Sequence, residues 1–453
     1  MVIQENDQGF VQIREERTNL LVPLSSLTDV VPSRNPAFFN KLAKLNRDIS
    51  ILAYRAYALE IKESRNRRNM LGNSGVMELS NNEVITFADS LSGTGARALR
   101  VAVEAPEIAE VYMNDINQLA VDKAKLSAEI NAVGHKCFFS SNDVHKFLAE
   151  HKTKDERRFM IADLDPFGSP TPYVDSLLRS VRNGGLISVT ATDTAVLSGV
   201  YPKVCLRKYF GRPINNGFSN ETGIRLLISL ISLVGARFEL VVRPIFVHAN
   251  FHYLRVYLTI ERSSSKANKM HENLGFIQYC FKCGNRKNIP LNPIASQFGA
   301  SREQCSLCRD SFYTVGGPVW SSKLFDKQFV KKMNDLKSTP TNVVTGAGSD
   351  IKYDYNKPLL HEETRFGVSH ELRKNNSIDP IQKSLEVAIM ELDSIPYYFR
   401  SDEISSYLRK NPLPLNSILE KLISNGFNAS RTSLNPGAFK TDARLSEIIS
   451  VLK

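Results

Sequence analysis

The sequence predicts an α/β protein: a doubly wound parallel sheet, followed by a smaller α+β region built around a cluster of cysteines. Three observations carry this. Short apolar runs alternate with amphipathic stretches at the spacing of successive βα units. The early runs end in acidic residues or in a glycine-bearing turn, as strands do at the ligand-binding edge of such sheets. Two Cys-x-x-Cys pairs lie beyond a short serine-rich stretch at 262–266, which reads as a linker. With 453 residues the chain exceeds one ordinary core. The expected division is a sheet domain with an N-terminal extension over 1–262 and a C-terminal domain over 263–453, with the cysteine lobe at about 272–320.

Residues 10–23 alternate enough for one or two strands. Residues 42–61 have helical apolar spacing and run into a basic patch, Lys62, Arg65, Arg67 and Arg68. A strand at 84–88 leads through Asp89 and the turn Ser92-Gly93-Thr94-Gly95 into a helix at 96–104. A strand at 111–113 ends at Asn114-Asp115, a helix follows at 117–131, and a strand at 137–139 precedes Asn142-Asp143. The fully apolar run 159–164 reads as a buried parallel strand, closed by Asp165-Pro166-Phe167-Gly168. A helix at 173–181, a strand at 186–191, a helix at 224–234 and two late strands at 238–246 and 253–260 complete the sheet domain. Residues 339–349 form a second polar break, and residues 339–384 carry no assigned role. Helical patterns return near 384, with a helix–turn–helix expected over 402–425.

Composition narrows the function. The chain holds 58 basic and 47 acidic residues, a net charge of +11, which favours a polyanionic partner. The excess is +7 beyond Arg262 and +4 up to it. Residues near the N-terminus are acidic and lack an apolar leader core, and the longest apolar segment, 224–234, contains Arg225 and two serines. The expectation is therefore a cytoplasmic protein with no membrane partner, or a nuclear one if eukaryotic.

The strand ends carry chemistry. Gly93 and Gly95 permit close backbone approach after the first strand, Asp115 ends the second where a carboxylate takes a ribose hydroxyl pair, and Asp143 follows the third near an adenine edge. The glycine loop is neither G-x-G-x-x-G nor a phosphate loop. An acidic loop suits a cationic nucleoside without phosphate better than a pyrophosphate, and S-adenosylmethionine fits. At the fourth strand end, Asp165, Pro166 and Phe167 put a carboxylate, a main-chain carbonyl and an aromatic face in a small space. That trio can grip a planar base and its exocyclic amine. Cys280, Cys283, Cys305 and Cys308 form two knuckles separated by 21 residues and point to a closed structural zinc site in a reducing compartment.

Together, Phe38-Phe39-Asn40, Asn46-Arg47-Asp48, the segment 89–97, Asn114-Asp115-Ile116 and the octapeptide 163–170 resemble the tRNA (guanine(26)-N2)-dimethyltransferases. So do His252-Tyr253-Leu254-Arg255-Val256-Tyr257 and the late stretch 430–443, so the resemblance spans nearly the whole chain. It implies a Rossmann-like methyltransferase domain acting on N2 of guanine 26, first to one and then to two methyls. Arg47, Arg97, Asp115, Asp143 and Val144, with Gly93, would line the S-adenosylmethionine site, while Asp165, Pro166, Phe167 and Phe38 would hold the guanine. Lys41 stands where the family usually has proline, in the loop carrying Phe38. The implied partner is tRNA, bound by the C-terminal domain and the basic patch, with no DNA expected and a monomer favoured. Read without the resemblance, the same trio also suits methylation of adenine N6 in DNA or RNA, and a non-catalytic RNA-binding protein retaining this fold is a third reading.

Overall fold

The apolar runs at the first and fourth predicted strands become neighbours at the centre of one sheet. A computed structural model describes residues 9–29, 32–71, 84–151, 158–250, 252–291, 304–310, 313–338 and 379–453, with the backbone alone at 68–71 and 313. The polar break expected at 339–349, the unassigned stretch up to residue 378 and the Arg68 side chain lie outside the described residues.

The chain opens with a hairpin, β1 (Phe10–Glu15) and β2 (Thr18–Pro23), then the short helix α1 (Ser25–Thr28) and the 28-residue α2 (Lys44–Leu71). Five βα-type strands follow: β3 (Thr86–Asp89), β4 (Glu110–Asn114), β5 (Cys137–Ser140), β6 (Phe159–Leu164) and β7 (Val181–Ala191). The helices between them are α3 (Ala96–Glu104), α4 (Gln118–Ile130), α5 (Val144–Glu150) and α6 (Val174–Ser180). Beyond β7 come α7 (Thr194–Leu197), α8 (Pro202–Tyr209), α9 (Ser219–Ala236) and the antiparallel pair β8 (Leu240–Asn250) and β9 (Tyr253–Arg262). The sheet order is β5-β4-β3-β6-β7-β9-β8. Strand order reverses between β3 and β6, which pair in parallel with Asp89 opposite Asp163. Both strands are buried along their whole length, which is why they read as continuous apolar runs.

The serine-rich stretch is no extended linker. Arg262 ends β9, and Ser263 caps the short helix α10 (Ser264–Ala267) by accepting a hydrogen bond from the Lys266 amide. Serine serves caps as readily as linkers, so composition alone does not separate the two. A three-stranded sheet follows, β11 (Arg286–Pro290), β10 (Leu274–Cys280) and β12 (Tyr313–Trp320), then α11 (Lys327–Ser338) and α12 (Pro380–Met390). The main core continues from the seven-stranded sheet into Val319, Trp320, Phe329 and Leu385, so apolar packing crosses residue 262. The expected helix–turn–helix is present as α13 (Ser401–Leu408) and α14 (Leu415–Ser424). A hairpin, β14 (Ala429–Thr432) and β15 (Asn435–Thr441), backs it, with β13 (Phe399–Arg400) and α15 (Leu445–Leu452) alongside and a core of its own.

A fully buried ion cluster joins this last unit to the sheet domain. Arg225 on α9 pairs with Glu221 at 2.9 Å, and Lys440 on β15 lies 2.5 Å from Glu221 and 3.1 Å from Glu391. Arg225 also donates to the carbonyls of Trp320 and Asp393, at 2.7 and 2.9 Å. Two cations balance two carboxylates with no solvent access, and removing one partner of such a set costs about 3–5 kcal/mol. An Arg225→Met substitution is therefore expected to lower chemical-denaturation stability by that amount. A loss under about 1 kcal/mol would show that the cluster couples nothing.

Candidate active site and metal centre

The C-terminal ends of β3, β4, β6 and β7 and the segment 32–47 enclose a cavity of about 510 Å³. That size suits a small nucleoside-like ligand plus part of a second one. The loop after β3 is tied down on both sides: the Ser90 amide donates to the Asp163 carbonyl at 3.1 Å, and the Ser92 amide to the Asn114 carbonyl at 2.8 Å. Gly93 has φ +53°, and a Cβ there would sit 2.9 Å from the Phe38 carbonyl oxygen. This position needs glycine for its backbone and for the close approach of the N-terminal segment. The Gly93 amide donates to Asp115 at 2.8 Å, and the Asn117 amide donates to the other Asp115 oxygen at 2.9 Å.

Beneath the cavity lies a charged network. Asp163 is fully buried and accepts from Arg97, from Arg255 at 2.8 Å and from Ser188 at 3.0 Å. Arg97 turns its second nitrogen to Asp165 Oδ2 at 2.5 Å and to Asn46 at 3.2 Å. Arg255 Nη1 lies 3.7 Å from the same Asp165 oxygen. Asp165 itself is 25% exposed and faces the cavity. Burial alone would raise its pKa, but Arg97 and Arg255 outweigh that and hold the carboxyl below the usual carboxylate range. Asp89 forms no ion pair among the described residues, and burial first, then the Asp163 charge, push it up to about 7.

Phe167 is 52% exposed, with the Phe38 ring edge-on at 4.5 Å and the Arg34 guanidinium over its face at 4.3 Å. Pro166 is buried beside it. Of the ten catalytic and cofactor residues expected from sequence, Phe38, Arg47, Gly93, Arg97, Asp115, Asp165, Pro166 and Phe167 line this one cavity. Asp143 and Val144 are not in its wall. Asp143 caps α5, accepting from the His145 amide at 2.8 Å, and Val144 is buried. Arg47 reaches the cavity while held by Glu15 at 2.7 and 2.6 Å and by the Asn40 carbonyl at 3.0 Å. Sequence reasoning gave no role to Asp163, Arg255, Asn46 or Thr190. An arginine inside an otherwise apolar strand, as in Leu254-Arg255-Val256, was the available signal.

The four expected metal ligands also come together. Their Sγ atoms lie within 4.8 Å of one another, and the Cys280–Cys308 and Cys283–Cys305 separations are both 3.6 Å. Zinc–sulfur bonds of about 2.3 Å in a tetrahedron place sulfurs about 3.8 Å apart, so the set fits zinc with a closed shell. Each knuckle turns through a left-handed residue, Gly284 at φ +74° and Arg309 at φ +57°. Arg286 fastens this lobe to the C-terminal unit, donating to the Tyr398 carbonyl at 2.7 Å and pairing with Glu403.

The chain matches the family model described as N2,N2-dimethylguanosine tRNA methyltransferase over residues 9–351 and 355–453. It is 31% identical over 443 residues to a tRNA (guanine(26)-N(2))-dimethyltransferase of Methanothermobacter thermautotrophicus, covering 98% of each chain. It is 32% identical over 397 residues to a tRNA (guanine(26)-N(2)/guanine(27)-N(2))-dimethyltransferase of Aquifex aeolicus, covering 86% of this chain and 91% of that protein. Among solved structures, Trm1 from Pyrococcus horikoshii in complex with S-adenosyl-L-methionine aligns with a TM-score of 0.71 at 25% identity, covering 97% of this chain and 99% of that one.

Two outcomes test the site's construction. Purified protein is expected to carry one zinc per chain by elemental analysis, with chelation loosening the cysteine lobe; a metal-free, equally stable protein would contradict it. Glu15 is buried, which alone would raise its pKa, yet Arg47 and then Arg100 pull it down to about 2. Its stabilisation is present above the ordinary 4.5 and is lost as pH falls toward 2. Denaturation across that window is expected to cost the wild type about 3 kcal/mol more than a Glu15→Gln variant. Equal pH slopes would mean that Glu15 is not ion-paired.

Proposed function

The chain belongs to the N2,N2-dimethylguanosine tRNA methyltransferase family, and we propose that its strand-end cavity methylates N2 of guanine 26 in tRNA, first to the monomethyl and then to the dimethyl product. The observation that carries the site assignment is Asp165, an ionised carboxylate facing the cavity beside a buried proline and an exposed aromatic face.

The guanine amine is a poor nucleophile because its lone pair is delocalised into the ring. In the first transfer the Asp165 carboxylate and the Pro166 carbonyl each accept one N–H, which draws the nitrogen toward tetrahedral geometry and leaves its lone pair exposed; the monomethyl amine keeps one N–H, which Asp165 accepts in the second transfer. Arg97 and Arg255 approach Asp165 through Oδ2. A carboxylate offers about four lone-pair sites, so capacity remains for the amine. Bound S-adenosylmethionine supplies a methyl group on a sulfonium. As the nitrogen becomes cationic, Asp165 stabilises that charge and takes the departing proton; a cationic aryl amine is acidic enough to release it even to a weakly basic carboxylate. Phe167 stacks on the purine, with Phe38 setting its edge. The base is stacked and paired in folded RNA, so it is extruded into the cavity.

Asp115 would take the ribose hydroxyls of S-adenosylmethionine. Gly93 would let the loop backbone close on the cofactor, Arg47 and Arg97 would help to hold it, and Asp143 with Val144, outside the wall of the cavity itself, would meet its adenine from the neighbouring strand end. The strand-end carboxylates and the lack of a phosphate loop suit this phosphate-free cationic nucleoside. The unit beyond residue 262 serves as the tRNA-binding domain, with zinc holding its cysteine lobe. Lys62 and Arg67, both exposed on α2, add backbone contacts. No helix among the described residues is long and apolar enough to cross a membrane. Four thiols grouped for metal binding fit a reducing compartment, so we place the protein in the cytoplasm, working as a monomer.

Mass spectrometry of nucleosides from treated tRNA tests this reading. Wild-type protein is expected to yield N2-methylated guanosine at position 26. Asp165→Ala is expected to lower turnover at least about 100-fold while S-adenosylmethionine still binds. Near-normal turnover by that variant, or loss of cofactor binding, would move the chemistry elsewhere.

A further inference from the structure

Helix α8 carries an exposed stripe of mixed aromatic, apolar and basic side chains. Lys203, Leu206, Arg207 and Phe210 stand at i, i+3, i+4 and i+7 and all face solvent, while Cys205 and Tyr209 fill the buried side. Val200 and Tyr201 extend the exposed apolar surface just ahead of the helix. Phe210 is 71% exposed and sits at the helix C-terminus with φ +55°. A bulky side chain is disfavoured in the left-handed conformation, where glycine is the usual residue. Neither its backbone nor its burial explains a phenylalanine there. Lys203 and Arg207 pair with no acidic side chain among the described residues.

The stripe is fastened to the active site. Tyr209, on the inner face of α8, donates to Asp193 at 2.5 Å and bonds Ser169 at 3.0 Å. Ser169 directly follows the Asp165-Pro166-Phe167-Gly168 turn. Gly168 in turn exchanges main-chain and side-chain hydrogen bonds with Thr192, a residue of the cavity wall. The helix that carries the aromatic and basic side chains is therefore hydrogen-bonded, through Tyr209 and Ser169, to the segment that directly follows the Asp165–Gly168 turn.

We propose that this α8 stripe is an RNA-docking surface that receives the nucleotides flanking the extruded guanine, with Phe210 stacking on a base and Lys203 and Arg207 meeting phosphates. The inference rests on the tRNA methylation reading and extends it. Interleaved cations and aromatics match an unstacked strand, since any base has a face to stack on and any phosphate a charge to meet. Extruding one base leaves its neighbours unstacked, and the helix that carries the stripe is bonded to the segment following the turn that would hold the extruded base.

The substitution Phe210→Gly separates recognition from folding. Glycine suits φ +55°, so thermal stability is expected to be unchanged or higher, while the tRNA Kd rises about tenfold. Affinity for S-adenosylmethionine is expected to stay at the wild-type value, and the kinetic deficit to fall on the KM for tRNA. In Lys203→Ala/Arg207→Ala, the slope of log Kd against log salt is expected to flatten by about 2. Wild-type methylation of tRNA with unchanged Kd and salt slope in both variants would overturn this inference alone. A wild-type chain that binds no tRNA would overturn the underlying reading as well. A stability loss in Phe210→Gly would assign the residue to folding and overturn the stacking role.

Discussion

Two guanidinium groups hold two carboxylates at the switch point of the sheet, and the site is arranged around that balance. Asp163 has no access to solvent, and the effective penalty for burying an unpaired carboxylate is several kcal/mol. Arg97 arrives from the start of α3 and Arg255 from the antiparallel β9, so the two strands added after the parallel set contribute a charge the site requires. The arrangement holds the Asp165 carboxyl below the usual carboxylate range and bonded to Arg97 while it faces the cavity. Asp89 is the third carboxyl of the group, and burial, then the neighbouring Asp163 charge, push it up to about 7.

A second network fixes the roof of the cavity. Glu15 of the first hairpin binds Arg47 and Arg100, and Arg100 also binds Asp48 and Glu104. The hairpin, α2 and α3 are thereby tied together, and Phe38 lies over Gly93 and against Phe167. At the far side, the cluster of Glu221, Arg225, Glu391 and Lys440 sets the C-terminal unit against α9. The sheet domain and the C-terminal unit are thus joined by buried charge as well as by apolar packing, which makes their spacing a property of the fold.

Much of this was legible in the sequence. Apolar runs closed by Asp89, Asp115 and Asp165 marked strands and their functional ends, because buried parallel strands and ligand edges leave opposite chemical signatures. Cysteine spacing located the metal lobe, because two knuckles are a local feature. Partnerships between distant residues were not legible. Arg97 read as a cofactor ligand and lines the cavity, but its hydrogen bonds to Asp163, Asp165 and Asn46 were not legible. The serine-rich stretch at 262–266 read as a linker because a cap and a linker share composition. The continuation of the core past residue 262 depends on β12 and α11 packing back onto the sheet, which no local pattern records.

The central claim is that Asp165 and the Pro166 carbonyl together receive the guanine amine. A crystal structure with S-adenosylhomocysteine and a tRNA fragment bearing the target guanine tests it most directly. The account expects N2 within hydrogen-bond distance of both oxygens, the purine on the Phe167 face, and Asp165 still held by Arg97. A guanine bound with its amine away from Asp165, and that carboxylate engaged by arginine alone, would contradict it.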